Sequence, residues 1–123
     1  MKVEIGQYND DGVERTISVH IDKWDTWNVD TTLAHIIAPL LKKFKETAQT
    51  YPNDLTKEQW DEIIDDMIFA FETKSEQFDA LNACNTKCAE VGSEICQECM
   101  RETQDRMTRG FAAFGKYYEN LWD

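Results

Sequence analysis

The stretch Thr56-Lys57-Glu58-Gln59-Trp60-Asp61-Glu62-Ile63-Ile64-Asp65-Asp66-Met67-Ile68-Phe69-Ala70-Phe71 sets the fold class. Its apolar residues Trp60, Ile63, Ile64, Met67, Ile68 and Phe71 recur at steps of three and four, the period of a helix with one buried side. Asp61, Glu62, Asp65 and Asp66 occupy the other side. Thr56 and Gln59 form a capping box, each side chain satisfying the other residue's free backbone amide, so the helix begins there. Tyr51-Pro52-Asn53-Asp54 ahead of it reads as a linker.

Upstream, Leu33, Ile37, Leu40, Leu41 and Phe44 predict a helix over about 30–48, with Asp30 or Thr31 as N-cap and a kink at Pro39. Earlier still the period drops to two. Val3 and Ile5, then Ile17, Val19 and Ile21, flank the turn signal Asn9-Asp10-Asp11-Gly12, which predicts a β-hairpin of residues 2–8 and 13–22 with one face turned inward. Two strands alone are marginally stable, so this hairpin is expected to pack on helices or to pair with strands of another subunit, which allows a homo-oligomer.

Downstream, Phe78, Leu81, Cys84, Cys88 and Val91 carry a helical pattern over 75–91. Gly92-Ser93 supplies a stop and a new N-cap, and Met100, Met107, Phe111, Phe114, Tyr118 and Leu121 form the seam of a last helix over about 94–121. The expected architecture is α+β, mostly α: an N-terminal hairpin (1–22), then a helical part (30–123) of about four helices, the last two forming a helical hairpin. With 123 residues and no linker long enough to divide it, the chain reads as one domain, 1–123.

The four cysteines lie within sixteen residues, as Cys84-x3-Cys88 and Cys96-x2-Cys99 on either side of Gly92-Ser93. Positions three or four apart on a helix face the same way, and folding back at the turn brings Cys88 opposite Cys96 and Cys84 near Cys99. Four thiolates so placed suit a structural, tetrahedral zinc site with Cys84, Cys88, Cys96 and Cys99 as ligands. The same placement suits two disulfides, Cys88 to Cys96 and Cys84 to Cys99, in an oxidising compartment, or four reduced thiols packed as small hydrophobes. Lys87 and Arg101 are too few cations to activate a redox dithiol.

Thirteen Lys and Arg stand against 24 Asp and Glu, a formal charge of −11, and this field opposes attraction to nucleic acid or anionic lipid. The opening residues lack the apolar block of a signal peptide and no run of about 18 apolar residues occurs, so the expectation is a soluble protein made in a cytosol. Asp61/Asp65 and Glu62/Asp66 are like-charge pairs one turn apart, read either as a solvated face or as an anionic surface for a basic partner. Trp24 and Trp27 read as lids on the core or, if they face solvent, as interface anchors. His20 and His35 stand in no motif. The nucleophile elbow, metalloprotease helix, phosphate-cradling loop and dinucleotide fingerprint are all missing, so nothing positive points to an enzyme.

The landmarks Trp24-Asp25-x-Trp27, Thr32-Leu33-Ala34-x-Ile36-Ile37-x-Pro39-Leu40-Leu41, Trp60 with Ile63-Ile64-x-x-Met67-Ile68-x-Ala70-Phe71-Glu72, and Gly110-Phe111-x-x-Phe114-Gly115-Lys116-Tyr117-Tyr118-x-x-Leu121-Trp122-Asp123 resemble a group of short uncharacterised proteins of tailed bacteriophages. The resemblance covers roughly 22–72 and 110–123 and leaves the cysteine segment out. It implies a phage origin and a bacterial cytoplasm, and it transfers no functional residue. By analogy with small phage accessory proteins, the leading expectation is a non-enzymatic protein that binds a host or phage macromolecule, with a metal-stapled hairpin as support. The alternative is a protein that sequesters a signalling nucleotide, for which a pocket lined by Lys42, Lys43, Arg106 or Arg109 is the discriminating feature.

Overall fold

The computed structural model describes residues 1–75 and 93–123, with the backbone alone for 93–96. Its elements run β1 (Lys2–Tyr8), β2 (Arg15–His20), a 3-10 turn (Lys23–Thr26), α1 (Val29–Thr47), α2 (Lys57–Lys74), α3 (Ser93–Tyr117) and a second 3-10 turn (Tyr118–Asn120). The class is therefore α+β and mostly helical. Three helices, rather than about four, stand among the described residues; the helix expected over 75–91, and with it the terminal helical hairpin, falls outside them.

β1 and β2 pair antiparallel, with Val3 opposite Val19 and Ile5 opposite Ile17. The turn forms where its residues predict it: Gly12 takes φ 69°, and the Asp11 carboxylate accepts the amides of Val13 and Glu14 at 2.9 and 3.2 Å. A register shift between Ile5 and Tyr8 lets the Arg15 guanidinium reach the Gly6 carbonyl at 2.9 Å and lie over the Tyr8 ring. The expected inward face is not covered. Val3, Ile5, Ile17 and Val19 share one side of the sheet and all are exposed, because no helix among the described residues packs over it.

α2 is the central helix, packed by α1 on one side and α3 on the other. Its capping box is present, with Gln59 N–H donating to Thr56 Oγ1 at 3.1 Å and Thr56 N–H donating to Gln59 Oε1 at 2.9 Å. Having two neighbours, it buries Trp60, Ile64, Met67, Ala70 and Phe71 over a wide arc. Phe71 meets Phe111 and Phe114 of α3 edge-on at 5.2 and 4.9 Å between ring centres. At Gly110 the backbones of α2 and α3 approach closely, since a Cβ there would lie 2.1 Å from the Asp66 carbonyl oxygen.

α1 departs from its expected face. It starts at Val29 after Asn28, which makes no side-chain cap, and Asp30 sits inside the first turn with its carboxylate on Lys74 at 3.0 Å. Pro39 is accommodated within a single helix from Val29 to Thr47. The buried positions are Ala34, Ala38 and Leu41, with Ile37 and Phe44 partly buried, whereas Leu33 and Leu40 are exposed. Two alanines on the contact side let the helices approach closely, and this turns the larger neighbours outward.

Candidate functional site

The apolar surface that the helices leave open starts in the turn before α1. Asp22 caps this turn by accepting the Trp24 amide at 2.9 Å, while Asp25 accepts the Asp22 amide at 3.0 Å. The turn contacts α1 and carries the two indoles, Trp24 within it and Trp27 at its end. They meet edge-to-face at 4.5 Å, and the Lys23 ammonium lies 4.8 Å from the centre of the Trp24 ring. Of the two readings open for Trp24 and Trp27, the structure realises the solvent-facing one: they are 56% and 70% exposed.

From this turn the strip continues along α1. Val29, Leu33, Ile36 and Leu40 are spaced four, three and four residues apart, so they line one side of the helix, and all four are exposed. Past Leu40 the strip opens into a groove of about 540 Å³ between α1 and the end of α3, lined by Ile37, Leu40, Leu41, Phe44, Phe114, Tyr118 and Leu121. The far end of the chain is pinned beside it. The Asp123 carboxylate accepts the Gln49 and Thr50 amides at 2.9 and 3.1 Å, and these bonds hold its pKa below the usual carboxylate value.

The acidic residues are drawn apart by what they touch. Asp61 meets Lys57 at 2.7 Å on its own helix, Asp65 meets Lys45 of α1 at 2.6 Å, and Asp66 takes Arg106 and Arg109 of α3 at 3.0 and 2.9 Å. Glu62 is exposed. Three of the four carboxylates thus serve as ties of α2 to cations, two of them to neighbouring helices, and this offsets the like-charge spacing seen in the sequence.

Partial burial pushes the Asp66 pKa up, but the hydrogen bonds from Arg109 and Arg106 outweigh it and the net shift is downward. The stability this residue contributes is present above the ordinary carboxylate pKa and is lost as pH falls through the lowered folded value. Asp66→Asn should lower the melting temperature by about 4 °C at pH 7, given roughly 1 kcal/mol for a partly exposed cluster. The two proteins should converge in melting scans taken towards pH 2; a gap that persists there would assign the effect to packing instead.

The cations named for nucleotide binding do not gather at the apolar groove. Lys42 pairs with Glu72, Lys43 lies 3.7 Å from Glu46, and Arg106 and Arg109 are engaged by Asp66. His20 Nε2 lies 3.2 Å from Ser18 Oγ on β2, and His35 is exposed on α1. Cys99 of α3 is disulfide-bonded; Cys84 and Cys88 lie outside the described residues, as does the side chain of Cys96. No cluster of three or more metal-ligating side chains occurs among the described residues. No helix among them is long and apolar enough to cross a membrane.

The strip itself was only half legible. The spacing of Val29, Leu33, Ile36 and Leu40 is present in the chain, but Leu33 and Leu40 also fit the core stripe, and only packing separates the two sets. Comparison with protein families, curated proteins and solved structures found no match to the chain.

Proposed function

We propose that the protein acts by binding rather than by catalysis, as an accessory protein of tailed-bacteriophage type in a bacterial cytoplasm, and that Trp24, Trp27, Val29, Leu33, Ile36 and Leu40 dock a host or phage macromolecule. The observation that carries this reading is the exposure of two mutually packed indoles at the head of an exposed aliphatic strip. Monomeric proteins seldom leave large contiguous apolar patches open to water, and tryptophan is the residue most enriched among binding hot spots. The net charge of −11 disfavours a nucleic-acid partner and leaves a protein as the expected one.

The test is capture from a bacterial lysate with the intact chain and with the double variant Trp24→Ala, Trp27→Ala. A partner recovered by the first and reduced at least tenfold with the second is the expected result, since one hot-spot tryptophan is worth about 2 kcal/mol. The variant should melt within about 2 °C of the parent, because both rings are already mostly solvated. Equal recovery with both chains would sink the assignment.

A structural zinc is part of the proposal for the reduced chain, in which Cys99 and the other three cysteines become available as thiolates. Elemental analysis after purification under reducing conditions should give near-stoichiometric zinc with the thiols protected. Four freely titrating thiols without metal would end that part.

A further inference from the structure

The exposed face of the hairpin shares no residue with the strip on α1 and calls for a different occupant. Val3, Ile5, Ile17 and Val19 form two directly opposed apolar pairs on one side of a two-stranded sheet, and Ile21 continues the alternation. Ile17 is 63% exposed and Ile21 64%. Two strands without a covered face are marginal in water, so the cover must be present whenever the protein is folded, not only when a transient partner arrives. A second copy of the same chain meets that demand, because it is always present in equal amount.

Electrostatics points the same way. The two strands hold Lys2 and Arg15 against Glu4, a formal +1, within a chain of −11. α2 by contrast carries two lysines and six acids; the turn between the strands adds Asp10, Asp11 and Glu14, so the acidic excess at this end of the chain sits on the turn and not on the strands that would stack. The area is also sufficient: the five side chains expose roughly 450 Å² of apolar surface, and at the usual apolar share of ~60–65% this corresponds to about 700 Å² per partner, within the range of stable interfaces.

We infer that the protein is a two-fold dimer in which the hairpins of two copies stack face to face, burying Val3, Ile5, Ile17, Val19 and Ile21. Face-to-face sheets pack about 10 Å apart, and a two-fold axis through the face sets the same patch against itself. The stacked residues and those of the α1 strip are different sets, so substitution in one tests the dimer and substitution in the other tests the binding proposal.

Sedimentation across 5–200 µM reads the inference directly. The parent should have twice the chain mass of 14.4 kDa. Ile17→Lys, which sets a charge into the stacked face of each copy, should raise the dissociation constant at least 100-fold while the helical circular dichroism is retained. A second readout needs no variant: amide exchange in Lys2–Tyr8 and Arg15–His20 should slow as the parent's concentration rises. A parent that stays at 14.4 kDa overturns the inference, as does a dimer that survives Ile17→Lys and is dissolved by Leu33→Lys on α1, or strand exchange that is independent of concentration.

Discussion

Gly110→Ala is expected to cost about 3 kcal/mol, a fall of about 12 °C in melting temperature for a chain of this size. Helix propensity argues the other way, since alanine in a helix interior is better than glycine by about 1 kcal/mol. The contact decides. The added Cβ would sit 2.1 Å from the Asp66 carbonyl oxygen and 2.8 Å from the Ala70 Cβ. A backbone oxygen has no rotamer by which to withdraw, so α2 and α3 must move apart along the seam that holds Met67, Phe71 and Phe111. The separation would also lengthen the bonds from Arg106 and Arg109 to Asp66. Gly115 of the same helix is the control, because an added Cβ there meets nothing within 4 Å. Gly115→Ala should be neutral or stabilising by up to about 1 kcal/mol. Thermal melts of the two variants side by side separate close approach from a general effect of glycine in α3; equal behaviour would refute the steric account.

The second large effect belongs to Trp60, which is 1% exposed and meets Tyr117 edge-on at 5.4 Å. Trp60→Ala should destabilise by about 3 kcal/mol, the low end of the range for deleting a large buried ring. The low end is expected for a specific reason. The indole Nε1 of Trp60 meets no acceptor among the described residues, and a buried donor without a partner already costs roughly 1–3 kcal/mol, which alanine relieves. Trp60→Phe relieves the same cost and keeps an aromatic ring against Tyr117, so it should lose less than about 1.5 kcal/mol. Chemical denaturation of the three proteins checks the order. A phenylalanine variant as unstable as the alanine variant would show that the indole N–H is satisfied after all.

These two residues also mark how far the chain could be read without its structure. Trp60 lies on the apolar side of a helix whose start is spelled out by Thr56 and Gln59, so its burial follows from the three-and-four period alone. Gly110 carries no local signal: a glycine inside a helical pattern reads as a weakness until the backbone of α2 is seen to lie against it. The acidic residues behave in the same way. Asp61, Glu62, Asp65 and Asp66 are visibly apart from the apolar side, but their division among Lys57, Lys45 and the two arginines depends on which helices flank α2. Trp24 and Trp27 could be placed in a connector from sequence, while their exposure depended on how the turn packs on α1.

Local chemistry by itself determined the elements. Gly12 at positive φ and the Asp11 carboxylate make the hairpin turn, the capping box starts α2, and periods of two and then three-to-four assign strands and helices. What only the tertiary structure decided is which apolar faces are covered. The hairpin's Val3, Ile5, Ile17 and Val19, and α1's Val29, Leu33, Ile36 and Leu40, are as periodic as any core residue, and they are exposed. Periodicity records that one side of an element avoids water, a property of the segment alone. Whether another element reaches that side depends on helix length, on the small residues that permit close approach, and on where the chain turns, all of which are relations between segments distant in sequence.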